Sequence, residues 1–196
     1  MKRAALLFLL AAIAVAAPAH SADARLNKSF RKPVQAGWIF VHLEGKPSEI
    51  GFQHGFLLAP EILDAQKAIK LALTHDSKDW NYFRNVAEKV LWPHVEPEYR
   101  DELTGIVAGL AAKNVKLDIW DVVATNAWLE LDPYYVKWAE KNSGKSTADH
   151  CSAFVATGSY TKDRKPVIAH NNWTDYMTGS RWNIVFDITP ERGQRF

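Results

Sequence analysis

A single cysteine, Cys151, stands in a chain of 196 residues, directly after His150 and ahead of Ser152-Ala153-Phe154-Val155. If the peptide bond before it is cut, residue 151 carries both a thiol and a new α-amine. Ordinary pKa values of about 8.5 for a thiol and about 8 for an α-amine let the amine take the thiol proton near neutrality and act as a built-in base. The cut can come from the same atom. Sγ attacks the His150 carbonyl carbon, a thioester replaces the amide, and water releases the upstream segment. The other dense set of polar groups is Ala169-His170-Asn171-Asn172-Trp173-Thr174-Asp175-Tyr176, able to hydrogen-bond a thiolate, an amine or a substrate carbonyl. In a third reading His170 is the base to Cys151 in a thiol dyad with no self-cleavage. The bland readings are a cysteine packed as a small hydrophobe and a polar strand end followed by a turn.

These groups need elements to position them. From Cys151 onward the pattern predicts strands at Cys151 to Thr157, Pro166 to Asn171 and Arg181 to Ile188, the last alternating as Trp182, Ile184, Phe186 and Ile188. A hairpin with its turn at Tyr160 to Lys165 would return residues 170–175 beside Cys151. The preceding stretch, Lys141 to His150, is polar and loop-like. Upstream the chain reads as helical. A first strand at Gly37 to Leu43 leads to a helix capped by Ser48 and running to about Leu73, in which Gly51 and Gly55 permit close helix approach. Further helices are expected from Lys78 to Trp92, from Pro97 with Leu103, Ile106, Val107 and Leu110 on its apolar face, from Asp118 to Glu130, and from Pro133 through Trp138.

Lys2 and Arg3 precede an uninterrupted apolar run from Ala4 to Ala17, followed by small-residue sites at Ala17-Pro18-Ala19 and Ala22-Asp23-Ala24. That is the pattern of a cleavable secretory signal over residues 1–24. The run is shorter than the ~20 residues a bilayer needs, so no integral membrane anchor is expected. The expected location is exported, periplasmic or extracellular, where a lone thiol needs a reason to persist. The 24 basic and 22 acidic residues are intermixed for a net charge of +2, which leaves no basic stripe for nucleic acid. His42, His54, His75, His94, His150 and His170 lack HExxH or paired short spacing, so no metal and no cofactor is expected, and His54 reads as a packed residue.

The block Cys151-Ser152-Ala153-Phe154-Val155 followed by Ala169-His170-Asn171-Asn172-Trp173 resembles the nucleophile motif of phospholipase B-like proteins and their relatives in the penicillin acyltransferase (peptidase C45) group. Gly51-Phe52-Gln53-His54-Gly55 and Asp101-Glu102-Leu103-Thr104-Gly105-Ile106 are similar to helical segments of the same superfamily. The resemblance implies an N-terminal-nucleophile hydrolase. That is an α+β chain folded as an αββα sandwich, self-cleaved between His150 and Cys151, which hydrolyses or transfers acyl groups of a small acyl amide or lipid. It implies a helical segment, residues 25–150, released or retained after cleavage, followed by antiparallel strands from 151–196 that begin the nucleophile-bearing sheet. By position Cys151 matches the nucleophile, while His170, Asn171 and Trp173 match the pocket motif, with Asn172 beside Trp173 on the substrate side. Asp175 resembles the carboxylate that follows an Asn-Trp pair in acyltransferase relatives and would orient the new amine. Thr174-Asp175 stands where the phospholipase B-like motif has Asn-Ser, which leaves subfamily and substrate open. Family members also continue beyond the position of Phe196, so the resemblance implies a truncated chain whose partner is the missing C-terminal portion of the same fold, with the Asn or Arg that completes the oxyanion site.

The rival class is a noncatalytic secreted binding module with a buried Cys151, in which Trp80, Trp92, Trp120, Trp128 and Trp138 line an apolar or sugar-binding groove.

Overall fold

The computed structural model describes residues 23–75, 79–131, 151–171 and 176–196. The predicted signal segment before residue 23, the short aromatic helix after Pro133 and the loop ending at His150 lie outside them.

The sheet that organises the fold is built on β2, Ile39–Gly45, where Ile39, Val41 and Leu43 point inward and are buried while their neighbours are half-buried. β1, Phe30–Arg31, pairs antiparallel with it, Arg31 opposite Val41. The two are joined through Ala36 and Gly37, both at positive φ, with Gln35 and Trp38 exchanging both backbone hydrogen bonds at 2.9 Å. This turn takes up Gly37, so the first strand starts at Ile39 and not at Gly37 as the sequence suggests.

α1, Pro47–Leu57, begins one residue before its expected cap. Lys46, not Ser48, occupies the N-cap, Pro47 fills the first turn where a missing N–H costs nothing, and the Glu49 carboxylate accepts from the Lys46 N–H at 2.9 Å. The single helix expected to Leu73 is two, since α2 runs Ala59–His75. The cause is Pro60, which has no N–H to give the Phe56 carbonyl and whose ring clashes with it.

α3, Trp80–Val86, is capped by Asp79, and the helix expected to continue to Trp92 passes instead through a π turn, Ala87–Leu91, and a 3-10 turn, Trp92–His94. Arg100 satisfies the carbonyls this leaves, donating to Trp92 O at 2.9 Å and Val95 O at 2.8 Å. α4, Pro97–Ala112, and α5, Ile119–Glu130, match their predicted spans closely. The Asp118 carboxylate accepts from the N–H groups of Trp120 and Asp121 at 2.9 and 3.0 Å, and Arg84 reaches its two oxygens at 2.8 and 2.6 Å.

α1 and α4 lie backbone to backbone. A Cβ on Gly51 would sit 1.9 Å from the Glu102 carbonyl oxygen, and one on Gly105 would sit 2.4 Å from that of Ser48. The expected close approach at Gly51 and Gly55 is therefore present, with Gly105 and Gly109 as its counterparts on the facing helix. Beside it, buried Gln53 is fully used: its Oε1 accepts from Glu44 N at 2.9 Å while its Nε2 donates to Arg25 O and Glu44 O at 2.6 and 2.8 Å.

Downstream, β3, Ser152–Ala156, and β4, Val167–Asn171, form the expected antiparallel hairpin. A four-residue helix, α6, Tyr176–Gly179, follows. The last strand departs from expectation. β5, Ile184–Pro190, is not antiparallel to its neighbour but pairs parallel with β2 along seven residues, Ile39 opposite Ile184 through Gly45 opposite Pro190. His42 and Asp187 face each other in that register, with Nδ1 and Oδ2 2.9 Å apart. Arg195 on Asp187 at 2.6 Å, followed by His42, holds that carboxyl down to about 2. The segment before Cys151 is thus not purely helical, and residues on both sides of Cys151 share one sheet. The described residues form an α+β arrangement of helices with a three-stranded sheet, β1-β2-β5, and a separate two-stranded one. No described helix is long and apolar enough to cross a membrane.

Candidate functional site

The hairpin presents Cys151 at its open end. Cys151 is exposed among the described residues. The next residue, Ser152, stands opposite Asn171, and Ala153 stands opposite His170. Side chains alternate along strands, so Ala153 and His170 share one face, and Ser152 and Asn171 share the other. Cys151, two residues before Ala153, falls on the His170 side when the strand direction is continued, in a diagonal relation whose typical reach is roughly 7–8 Å. His170 and Asn171 are also exposed. The structure therefore places His170 on the Cys151 side of the hairpin and Asn171 on the opposite face. His150, Asn172, Trp173 and Asp175 lie outside the described residues.

Both faces of the hairpin carry uncovered apolar side chains, Phe154 at 58% exposure on one and Ile168 at 72% on the other. Natural sheets usually bury at least one face.

Trp80, Trp92 and Trp128 pack against the core cluster around Ile69, Phe83, Val123 and Leu131, and Trp120 meets Trp92 edge to face at 5.6 Å. Trp138 lies outside the described residues. Trp80 Nε1 donates to the buried Asp121 carboxylate at 2.8 Å. Among the described residues no group of three or more His, Cys, Asp and Glu side chains is placed to hold a metal.

No local sequence signal marks a cavity of about 360 Å³ bounded by His54 on α1, Ile62 and Ile69 on α2, Thr125 and Asn126 on α5, and Trp182. Its only trace is the occurrence of Thr125 and Asn126 among the apolar residues of α5. His54 is packed, as expected, against Phe186 and Trp182, with ring centroids 5.0 and 6.0 Å away. Part of the ring still faces the void, yet protein surrounds it deeply enough that burial pushes its pKa down to about 4. An imidazole with an unfolded value near 6.5 binds a proton in the unfolded chain that the folded one refuses. Stability contributed by neutral His54 is complete above pH 6.5 and is lost as pH falls from 6.5 to 4, by at most about 3 kcal/mol. Urea unfolding across that range should show the fall, and His54→Leu should flatten it. An unchanged slope in the variant would mean that other groups set the acid limit.

The chain is 28% identical over 176 residues to an uncharacterized protein of Archaeoglobus fulgidus, a match that covers 82% of this chain and 28% of that protein. The chain thus spans less than a third of that relative's length. No family model matches the chain, and no solved structure matches it significantly.

Proposed function

We propose that the chain carries the nucleophile of an exported cysteine N-terminal-nucleophile hydrolase or acyltransferase, which acts on amide or ester acyl bonds of a small acyl amide or lipid. The observation that carries this reading is the exposed Cys151 at the head of β3, with His170 returned on its side of the hairpin by β4. In the first step Sγ attacks the His150 carbonyl carbon and the amide nitrogen leaves as the Cys151 α-amine. Water then cleaves the thioester to give a His150 carboxylate, a free thiol and that amine. In each later turnover the amine accepts the thiol proton as Sγ attacks the substrate carbonyl, returns it to the leaving group, and water releases the acyl group. Asp175 orients the amine.

The αββα sandwich belongs to this reading. Phe154 and Ile168, on opposite faces of the hairpin, are the surface that its layers would cover.

A second reading rests on the shared face of Cys151 and His170, and makes His170 the base with no cleavage. A nitrophenyl ester of a short fatty acid distinguishes the two. Under the first, the acyl group is found as a hydroxylamine-labile thioester on a fragment beginning at Cys151. Under the second it sits on the uncut chain and is lost in His170→Gln. Absence of both acylation and cleavage would leave a noncatalytic binding module.

A further inference from the structure

We propose that the cavity between α1, α2, α5 and the Thr178 to Trp182 segment is a binding site for a neutral, largely apolar small molecule that carries one hydrogen-bond donor. None of its described lining residues belongs to β3 or β4, so the site is distinct from the Cys151 hairpin and does not depend on the reading of that cysteine.

Size is the first argument. Protein interiors hold few voids larger than a water molecule, whereas about 360 Å³ lies within the range of small-molecule sites. The walls supply the second. Ile62, Ile69, Ile106, Leu117 and Val122 are apolar, and no Asp, Glu, Lys or Arg occurs among the described lining residues. An ion placed there would find no counter-charge among the described walls.

The polar groups define the remaining chemistry. Thr125 Oγ1 donates to Asp121 O at 2.7 Å, and Asn126 Nδ2 donates to Val122 O at 3.0 Å. The Thr125 hydroxyl hydrogen and one Asn126 N–H are used within α5, which leaves the Thr125 lone pairs and the Asn126 carbonyl oxygen as acceptors and the second Asn126 N–H as a donor. His54 adds other ring atoms to the wall, its Nε2 being sealed from the cavity as it is from solvent. The Thr125 and Asn126 acceptors suit an uncharged molecule that donates one N–H or O–H.

Two dyes with one skeleton test this on the 196-residue chain. Phenylnaphthylamine is neutral with one N–H, and anilinonaphthalene sulfonate adds an anionic group. Fluorescence titration should show saturable one-to-one binding of the neutral dye, with the anionic dye at least about tenfold weaker. Ala65→Phe, which fills the cavity, should weaken the neutral dye by at least about tenfold. Thr125→Val keeps the shape and removes an acceptor, and should weaken it by roughly fivefold, so the test survives a failure of the larger substitution to fold. Equal binding of the two dyes would overturn the proposal. So would loss of binding in a Phe154→Ser, Ile168→Ser variant with retention in Thr125→Val, because the dye would then be reporting the exposed hairpin.

Discussion

Alanine at Gly51 or Gly105 is expected to lower the melting temperature by about 10 °C. In an ordinary helix the change would raise stability, because glycine is worse than alanine by roughly 0.5–1 kcal/mol in a helix interior. Here the added Cβ has nowhere to go. At Gly51 it meets the Glu102 carbonyl oxygen at 1.9 Å, at Gly55 that of Ile106 at 2.1 Å, and at Gly109 that of Phe52 at 2.2 Å. The obstructing atoms are backbone, so the two helices must separate along their length. Overpacking costs of about 3 kcal/mol translate into roughly 6–12 °C for a domain of this size. The sign decides the matter: a thermal melt followed by circular dichroism that moved upward would mean α1 and α4 are not in this contact.

The largest effect on activity belongs to Cys151→Ala, which should abolish both self-cleavage and acyl transfer to the protein. Without Sγ there is no atom to take the His150 acyl group. Cys151→Ser keeps a nucleophile whose proton is far harder to remove at neutral pH, and should cleave more slowly without being blocked outright. The cut should not separate the pieces. β2 comes from before the cleavage point and β5 from after it, and they share a seven-residue parallel pairing. Arg181 also reaches Asp64 at 2.6 Å. The wild-type chain should therefore run as one species under native conditions and as two once denatured.

What the sequence disclosed follows the range of the forces involved. The β3–β4 hairpin was legible because alternating side chains and an intervening turn are local signals, and the register observed, Ser152 opposite Asn171, falls within the range of 170–175 expected beside Cys151 though two residues short of a turn centred on Tyr160 to Lys165. α4 and α5 were legible from Pro97 and Asp118, which act on the residues next to them. Pro60 carries an equally local signal, and its break of the first long helix was masked by the helical spacing of Leu57, Leu58 and Ile62 across it. The pairing of β2 with β5 was not legible, since it joins Val41 to Phe186 across most of the chain and no nearby residue encodes the partner. The π turn at Ala87–Leu91 likewise depends on Arg100, on the following helix, to take up Trp92 O. Of the candidate site, the residue types and their meeting at the hairpin end were visible. The cavity beside His54 was not, because it is made by residues of α1, α2, α4, α5 and the Thr178 to Trp182 segment, brought together only in the fold.

The central claim is that Cys151 is a nucleophile released by its own attack on the preceding bond. N-terminal sequencing of the purified chain, with intact mass under denaturing conditions, tests it most directly. The account predicts a second N-terminus reading Cys-Ser-Ala-Phe-Val in the wild type, its appearance independent of protein concentration, and its absence in Cys151→Ala. A wild-type chain that retains one N-terminus upstream of Cys151 and one undivided mass after prolonged incubation would contradict it.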